Sequence, residues 1–166
     1  MTGLVDIQTE LVIIVHLIIS ILLGGLIGYD RERDGNNAGI RTYAAVCLGA
    51  TVFTSVANHI SGDPGSVSRI VANIITGIGF LGAGIIFRGD AKTGIQGLTS
   101  AATIWATAAV GVAVAMNMFI IAVFSALMLF FILSLHHYKW YIKWKEKIKH
   151  KRHEDERNKK EAVQND

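Results

Sequence analysis

Residues 76–88 read T-G-I-G-F-L-G-A-G-I-I-F-R. Four glycines, at 77, 79, 82 and 84, stand among large aliphatic side chains with almost no polar group between them. In water a glycine inside a helix costs about 1 kcal/mol relative to alanine. Either this stretch is not a helix, or something gains from its bare backbone. Which of the two holds decides the fold, and the rest of the chain answers it.

The chain has 166 residues, 51% of them hydrophobic, a mean hydropathy of +0.42 and one proline. Charged residues make up 17%, against about 25% in soluble domains. They are also unevenly spread: between Thr42 and Leu135 only Asp63, Arg69, Arg88, Asp90 and Lys92 carry charge, and beyond His136 charge dominates. A long apolar body with a polar tail is the composition of a membrane protein. The single cysteine, Cys47, excludes an intramolecular disulfide and a multi-cysteine metal site.

A hydrocarbon layer of about 30 Å is crossed by roughly 20 apolar helical residues. Five stretches qualify, at about 9–28, 42–60, 69–87, 98–116 and 118–135. The opening glycines are therefore helical, in the third span. The turn signal S-G-D-P-G at 61–65 separates the second span from the third, and Asn117 breaks the last long run into a hairpin. The first span has no basic segment before it and no small-residue cleavage site, so it reads as a retained helix and not a secretory signal. The tail 136–166 holds ten of the sixteen Lys and Arg residues. It opens on aromatics suited to the headgroup region, and reads as a positive-inside anchor with a solvated end.

Basic residues alternate along the chain. The first loop carries Arg31, Arg33 and Arg41, the third Arg88 and Lys92, and the tail the remainder; the second has only Arg69 and the fourth none. Five spans put every basic segment on one side. The expected fold is an all-α integral membrane protein, a compact bundle of about five transmembrane helices, N-terminus outside and C-terminus cytoplasmic.

In lipid, helices associate by close packing, which small residues allow. Gly77, Gly79, Gly82 and Gly84 cover much of the circumference of span three, which suggests a central helix; Gly24 and Gly28 pair at four-residue spacing in span one. Arg69, Asn73 and Thr76 lie on one face of span three, and Thr99, Thr103 and Thr107 form a line on span four that could partner Asn73. Asp30, Arg31 and Arg41 gather where the first loop leaves and re-enters the membrane, with Asp30–Arg31 or Asp30–Arg41 as candidate pairs. Glu10 opens span one and His16 follows about two turns in, a candidate proton-sensitive group. No P-loop, Gly-x-Ser-x-Gly, His-Glu-x-x-His or cysteine cluster is present, so neither an enzyme nor a catalytic residue is expected.

G-L-I-G-Y-D-R at 25–31, A-G-I-R-T at 38–42, R-I-V-A-N-I-I-T-G-I-G-F-L-G-A-G-I-I at 69–86 and G-L-T-S-A-A-T-I-W at 97–105 resemble the bacterial MgtC/SapB membrane proteins over about residues 11–135. Asp30 replaces the family's Glu ahead of Arg31, and Asn73 stands in place of a Gln. Several members carry a C-terminal ACT-like domain, which the thirty-residue tail does not resemble, so that domain's role is not carried over. The resemblance implies a multi-pass protein of the bacterial inner membrane linked to growth at low magnesium, stress adaptation and, in some pathogens, virulence. It marks Asp30, Arg31, Arg41, Arg69, Asn73, Thr99, Thr103 and Trp105 as functional candidates.

Older usage makes the family magnesium transporters. Mg²⁺ takes octahedral oxygen ligands, usually carboxylates with retained water, and no acid lies at mid-span: Glu10 and Asp30 mark opposite ends of span one. The expectation is therefore a regulator that packs against another membrane complex, with a cation carrier or channel as the alternative. No cofactor and no metal site are expected. Beyond the lipid bilayer, the expected partner is a membrane protein of unknown identity; small-residue faces invite a homodimer, and nucleic acid is not a partner.

The orientation is directly testable. A fluorescent protein fused to the C-terminus should fluoresce, and alkaline phosphatase inserted near residue 62 should be active. An active phosphatase near residue 36 instead would reverse the assignment.

Overall fold

The computed structural model describes residues 6–61, 63–86, 97–138, 143 and 147–148. The basic linker with Arg88 and Lys92, and nearly all of the basic tail, lie outside the described residues. Five α-helices follow one another: α1 (Ile7–Arg33), α2 (Ile40–Ser61), α3 (Pro64–Ile86), α4 (Leu98–Ala115) and α5 (Phe119–Ser134), with a short 3₁₀ turn at Leu135–His137. The first four are long and apolar enough to cross a membrane. α5 is as apolar but has 16 residues, about 24 Å of helix at 1.5 Å per residue. The chain divides into two compact units, Met1–Phe130 and Phe131–Asp166. The second holds the end of α5 and the 3₁₀ turn, with the Phe131 and Tyr138 rings 6.4 Å apart.

The boundaries follow from local chemistry. Asp63 caps α3: its carboxylate accepts from the backbone N–H of Gly65 (3.2 Å) and Ser66 (3.0 Å), and Pro64 takes the first helical position, where no N–H is needed. The Gly65 N–H, then the Ser66 hydroxyl and N–H, hold the Asp63 carboxyl below its ordinary pKa. A depressed carboxyl pKa adds stability above the unfolded-state value and loses it as pH falls through the folded-state value, so this cap is intact at neutral pH. α4 ends in a Schellman arrangement. The N–H of Asn117 reaches the carbonyl of Val114 (3.0 Å) and that of Met118 the carbonyl of Ala113 (2.9 Å), with Asn117 left-handed at φ 60. The long apolar run is thus broken at Asn117 into two helices. α4 begins at Gly97, φ +81, where a Cβ would meet the carbonyl oxygen of Ile85 at 3.0 Å; left-handed backbone and crowding both select glycine.

Within the first unit the usual distribution of side chains is inverted. Many buried positions are small or polar, among them Cys47, Ala50, Thr51, Thr54, Ala57, Ala101, Thr103, Thr107 and Ala108, beside the larger Ile27, Tyr43, Ile104, Val110 and Val114. The large apolar ones face outward, among them Ile18, Leu22, Phe53, Phe80, Ile120 and Phe124. In water that arrangement would expose far more apolar surface than a monomer carries; in lipid it is what close packing between helices produces.

α2 and α4 form the centre. α2 contacts α1, α3 and α4, and α4 contacts α1 and α3 as well. Glycine sets these approaches. A Cβ at Gly24 would stand 2.6 Å from the Tyr43 carbonyl oxygen, and one at Gly28 2.7 Å from the Ile40 Cα, so α1 lies directly on the backbone of α2. Gly111 of α4 presses on the Cys47 carbonyl in the same way. α3 is not the central helix the glycine count suggests. Only 6% of its apolar window is buried, against 56% for α4. Of the four glycines at 77–84 only Gly82 meets a neighbour, Ala101 of α4 at 3.4 Å, while Gly77, Gly79 and Gly84 have nothing within 4 Å among the described residues. Glycine permits close approach on every side but does not supply the neighbour.

Gly24→Ala, Gly28→Ala and Gly111→Ala should each destabilise by about 1–3 kcal/mol or more, because backbone cannot yield as a side chain does. Gly49→Ala and Gly84→Ala, in open space, should be neutral or slightly stabilising by helix propensity. Thermal unfolding in detergent separates the two groups; equal effects would refute the packing assignment.

Candidate functional site: a polar cluster where three helices meet

At the end of the bundle where α1 stops and α2 and α4 start, polar side chains from all three helices join. α1 runs into an Asx-rich turn: the N–H of Asp34 bonds the Asp30 carbonyl and that of Asn36 the Arg31 carbonyl. The turn brings Asn36 back beside Arg31. The Arg31 guanidinium donates through Nη2 to Asn36 Oδ1 (2.7 Å) and to Ser100 Oγ on α4, and Asn36 Nδ2 returns a bond to the Arg31 carbonyl (3.2 Å). Arg31 Nε is buried without a partner among the described residues. One arginine thus ties the first loop to the start of α4. A guanidinium fits this role because it offers several donors in a fixed plane.

Next to it, Glu32 Oε2 accepts the backbone N–H of Ile40 (2.8 Å) and so caps α2 from the last turn of α1. A Cβ on Gly39 would strike the same carboxylate, which accounts for glycine in A-G-I-R. One turn into α2, the fully buried Tyr43 meets Thr103 of α4, oxygen to oxygen 2.6 Å. The Thr103 hydroxyl donates to the Thr99 carbonyl (2.8 Å). It has a single proton, so Tyr43 is the donor in the Tyr43–Thr103 bond. Deeper still, Thr51 Oγ1 lies 2.9 Å from both the Cys47 carbonyl of its own helix and the Gly111 carbonyl of α4.

The residues singled out in the sequence are only partly brought together. Arg31 and Thr103 belong to this cluster. Asp30 is 2% exposed beside them. Arg41 is exposed, and the Arg31 guanidinium donates to Asn36 and Ser100. Thr99 contributes its carbonyl, and its side chain is exposed with that of Trp105. Arg69 and Asn73 lie elsewhere. Arg69 Nη2 donates to Ser66 Oγ (2.7 Å) at the exposed start of α3. Asn73 does not reach the α4 threonines: Thr103 is taken by Tyr43, and Thr107 bonds back to the Thr103 carbonyl (2.8 Å). Instead Asn73 lines an open cleft of about 480 Å³ between α2 and α3, with Gly49, Phe53, Ile70, Gly77 and Leu81. Tyr43, Asn36, Ser100 and Thr51 were not singled out. The one available signal was Tyr43, a phenol at the head of an apolar run, which needs a buried partner.

This cluster holds hydrogen-bond donors and acceptors in fixed pairs. Its chemistry is that of a clamp between helices. Ser100→Ala, which removes the α4 partner of Arg31, should lower stability by about 1.5–3 kcal/mol, the range for a charge-assisted hydrogen bond, and Tyr43→Phe by about 1 kcal/mol. Thermal unfolding of each purified variant reads both; no change in either would mean the clamp holds nothing together.

The chain is similar to several known proteins. It is 50% identical over 91 residues to Protein MgtC of Brucella abortus (strain 2308), covering 55% of this chain and 37% of that protein. It is 35% identical over 134 residues to the Putative magnesium transporter YhiD of Escherichia coli (strain K12), covering 75% of this chain and 60% of that one. With Protein SrpB of Synechococcus elongatus it shares 40% identity over 107 residues, 58% of this chain and 59% of that protein. The chain therefore spans between about a third and three fifths of the length of these relatives. No solved structure matches it. The family model described as MgtC family matches residues 17–139, from within α1 to just beyond α5, and the chain belongs to the MgtC family.

Proposed function

We propose that this protein is a non-enzymatic, multi-pass protein of the bacterial cytoplasmic membrane that supports adaptation to low magnesium by packing against another membrane complex and modulating it. The observation that supports this reading is the side of α3 away from its Gly82 contact, which opens into the cleft beside α2. At about 3.6 residues per turn, Asn73, Gly77 and Gly84 fall on one side of the helix, and Gly82, which meets α4, falls on the opposite side. That side presents two glycines with open space above them and an amide that makes no hydrogen bond among the described residues. An unsatisfied amide in hydrocarbon is costly, and small residues beside it let a neighbouring helix come close enough to bond it. A partner helix with a polar side chain answers both. The amide, both donor and acceptor, also suits a second copy of this chain.

Cation transport is the second reading, favoured by the name of the Escherichia coli relative. The donor set supports it less well. Mg²⁺ prefers carboxylate oxygens with retained water, and in α1 the acidic groups stand at the two ends, Glu10 in the first turn and Asp30 and Glu32 in the last.

Gly77→Leu tests the contact reading. The new side chain enters open space, so the protein should fold and reach the membrane at normal level, yet lose partner co-purification and growth support at low magnesium. Full growth with Gly77→Leu would sink the contact surface. Magnesium flux into liposomes holding only this protein, abolished by Asn73→Ala, would make it a carrier.

A further inference from the structure

Hydroxyl groups in the helices of this protein follow a habit. Ser20 bonds the Leu17 carbonyl, Thr51 that of Cys47, Thr76 that of Ala72, Thr103 that of Thr99 and Thr107 that of Thr103. Such back-bonding satisfies a hydroxyl inside a helix bundle. Ser55 breaks the habit. It is 5% exposed, and its Oγ is buried with no partner among the described residues. Ser55 lines a pocket of about 210 Å³ at the end of the bundle opposite the Arg31 cluster, where α1 begins and α2 and α4 finish. Thr54 has an unpartnered hydroxyl too but does not line this pocket.

Two imidazoles share the pocket with it. His16 comes from α1. It is 5% exposed, makes no hydrogen bond among the described residues, and is held edge-on by the Phe119 ring, centroids 5.3 Å apart and planes at 64°. His59 comes from α2, one turn beyond Ser55 and on the same face. Asn58 donates its Nδ2 to the Met116 sulfur (3.4 Å), which leaves Oδ1 as an acceptor beside the pocket. Asn117, the left-handed residue of the α4–α5 turn, completes the rim. Carboxylate, lysine and arginine side chains are all missing from the described lining.

The donor set narrows the ligand. Hard cations such as Mg²⁺ and Ca²⁺ take carboxylate and carbonyl oxygens. Neutral imidazole pairs with hydroxyl and amide oxygens suit Zn²⁺, Ni²⁺ and Cu²⁺. The volume equals roughly seven waters of about 30 Å³ each, enough for an ion that keeps part of its hydration shell. The pocket also ends within the bundle. His16 lies nine residues into α1, about 14 Å from its start. One turn further on the same face, Ser20 is fully buried and its hydroxyl is already bonded. That describes a binding site, not a passage.

We propose that this pocket binds a late first-row divalent cation of the Zn²⁺, Ni²⁺ or Cu²⁺ class. His16 and His59 are its imidazole ligands, and Ser55 Oγ and Asn58 Oδ1 hold the water the ion retains. The site is independent of the α3 contact face, so either can fail without the other.

The test is a Zn²⁺ titration of the full chain in detergent micelles against a chromophoric chelator, repeated with Ni²⁺ and read by its ligand-field spectrum. Four further histidines, His136, His137, His150 and His153, offer zinc imidazoles of their own, so the readout is the difference between variants. The wild-type chain should bind one more equivalent than His16→Ala/His59→Gln. His59→Gln alone, at an exposed position that leaves the core intact, should weaken that equivalent about tenfold or more. Excess Mg²⁺ should not displace it. Equal stoichiometry and affinity in the wild type and the double variant would mean adventitious zinc on the later histidines only, and would overturn the site. Displacement by Mg²⁺ at comparable concentration would overturn the assigned ligand class.

Discussion

Everything in the first unit depends on how closely α2 and α4 approach. Gly111 lies on the Cys47 carbonyl, and Thr51 bridges the same carbonyl and that of Gly111 with one hydroxyl. Two backbones in contact leave room for nothing larger than hydrogen at Gly111, and the interior around that contact is rich in alanine, serine, threonine and cysteine, with Tyr43, Ile27, Ile104, Val110 and Val114 filling the space beyond it. In lipid no hydrophobic gain accompanies this contact; dispersion between closely packed backbones and a few hydrogen bonds carry it. A single added methyl group at Gly111 therefore acts on the whole bundle, not on one site.

Once α2 and α4 are fixed, the other helices take places of unequal depth. α1 settles on α2 through Gly24 and Gly28 and is then clamped at its far end by Arg31, Asn36 and Ser100. α3 meets α4 where Gly82 faces Ala101, contacts α2 as well, and keeps most of its circumference free. The bundle thus has a rigid centre of three helices and a fourth whose outer side is available for other contacts. Polar chemistry sits at both ends, bonded tightly at the Arg31 end and left open at the His16 end.

What the sequence made legible was local. The turns at Asn117 and at 61–65 follow from residues within four positions of each other, and the five helices from apolar runs bounded by turn signals. Gly24 and Gly28 stand out because four-residue spacing is the spacing of a contact stripe. The prominence of α3 misled for a related reason: four glycines mark a helix able to pack, and only the arrangement of its neighbours decides whether it does. Asn73 was matched with the α4 threonines on polarity alone, whereas pairing needs register. The bonds from Tyr43 to Thr103 and from Thr51 to Gly111 each join residues 60 positions apart, and no local pattern encodes that register.

Cys47 has a consequence of its own. It is the only cysteine in the chain, fully buried, and sits where α1, α2 and α4 converge, with Gly24 against its Cβ and Gly111 against its carbonyl. A thiol shut in this way is inert to aqueous reagents until the three helices part. The protein therefore carries a built-in reporter: the rate at which Cys47 is alkylated measures how often its core opens, without any engineered label.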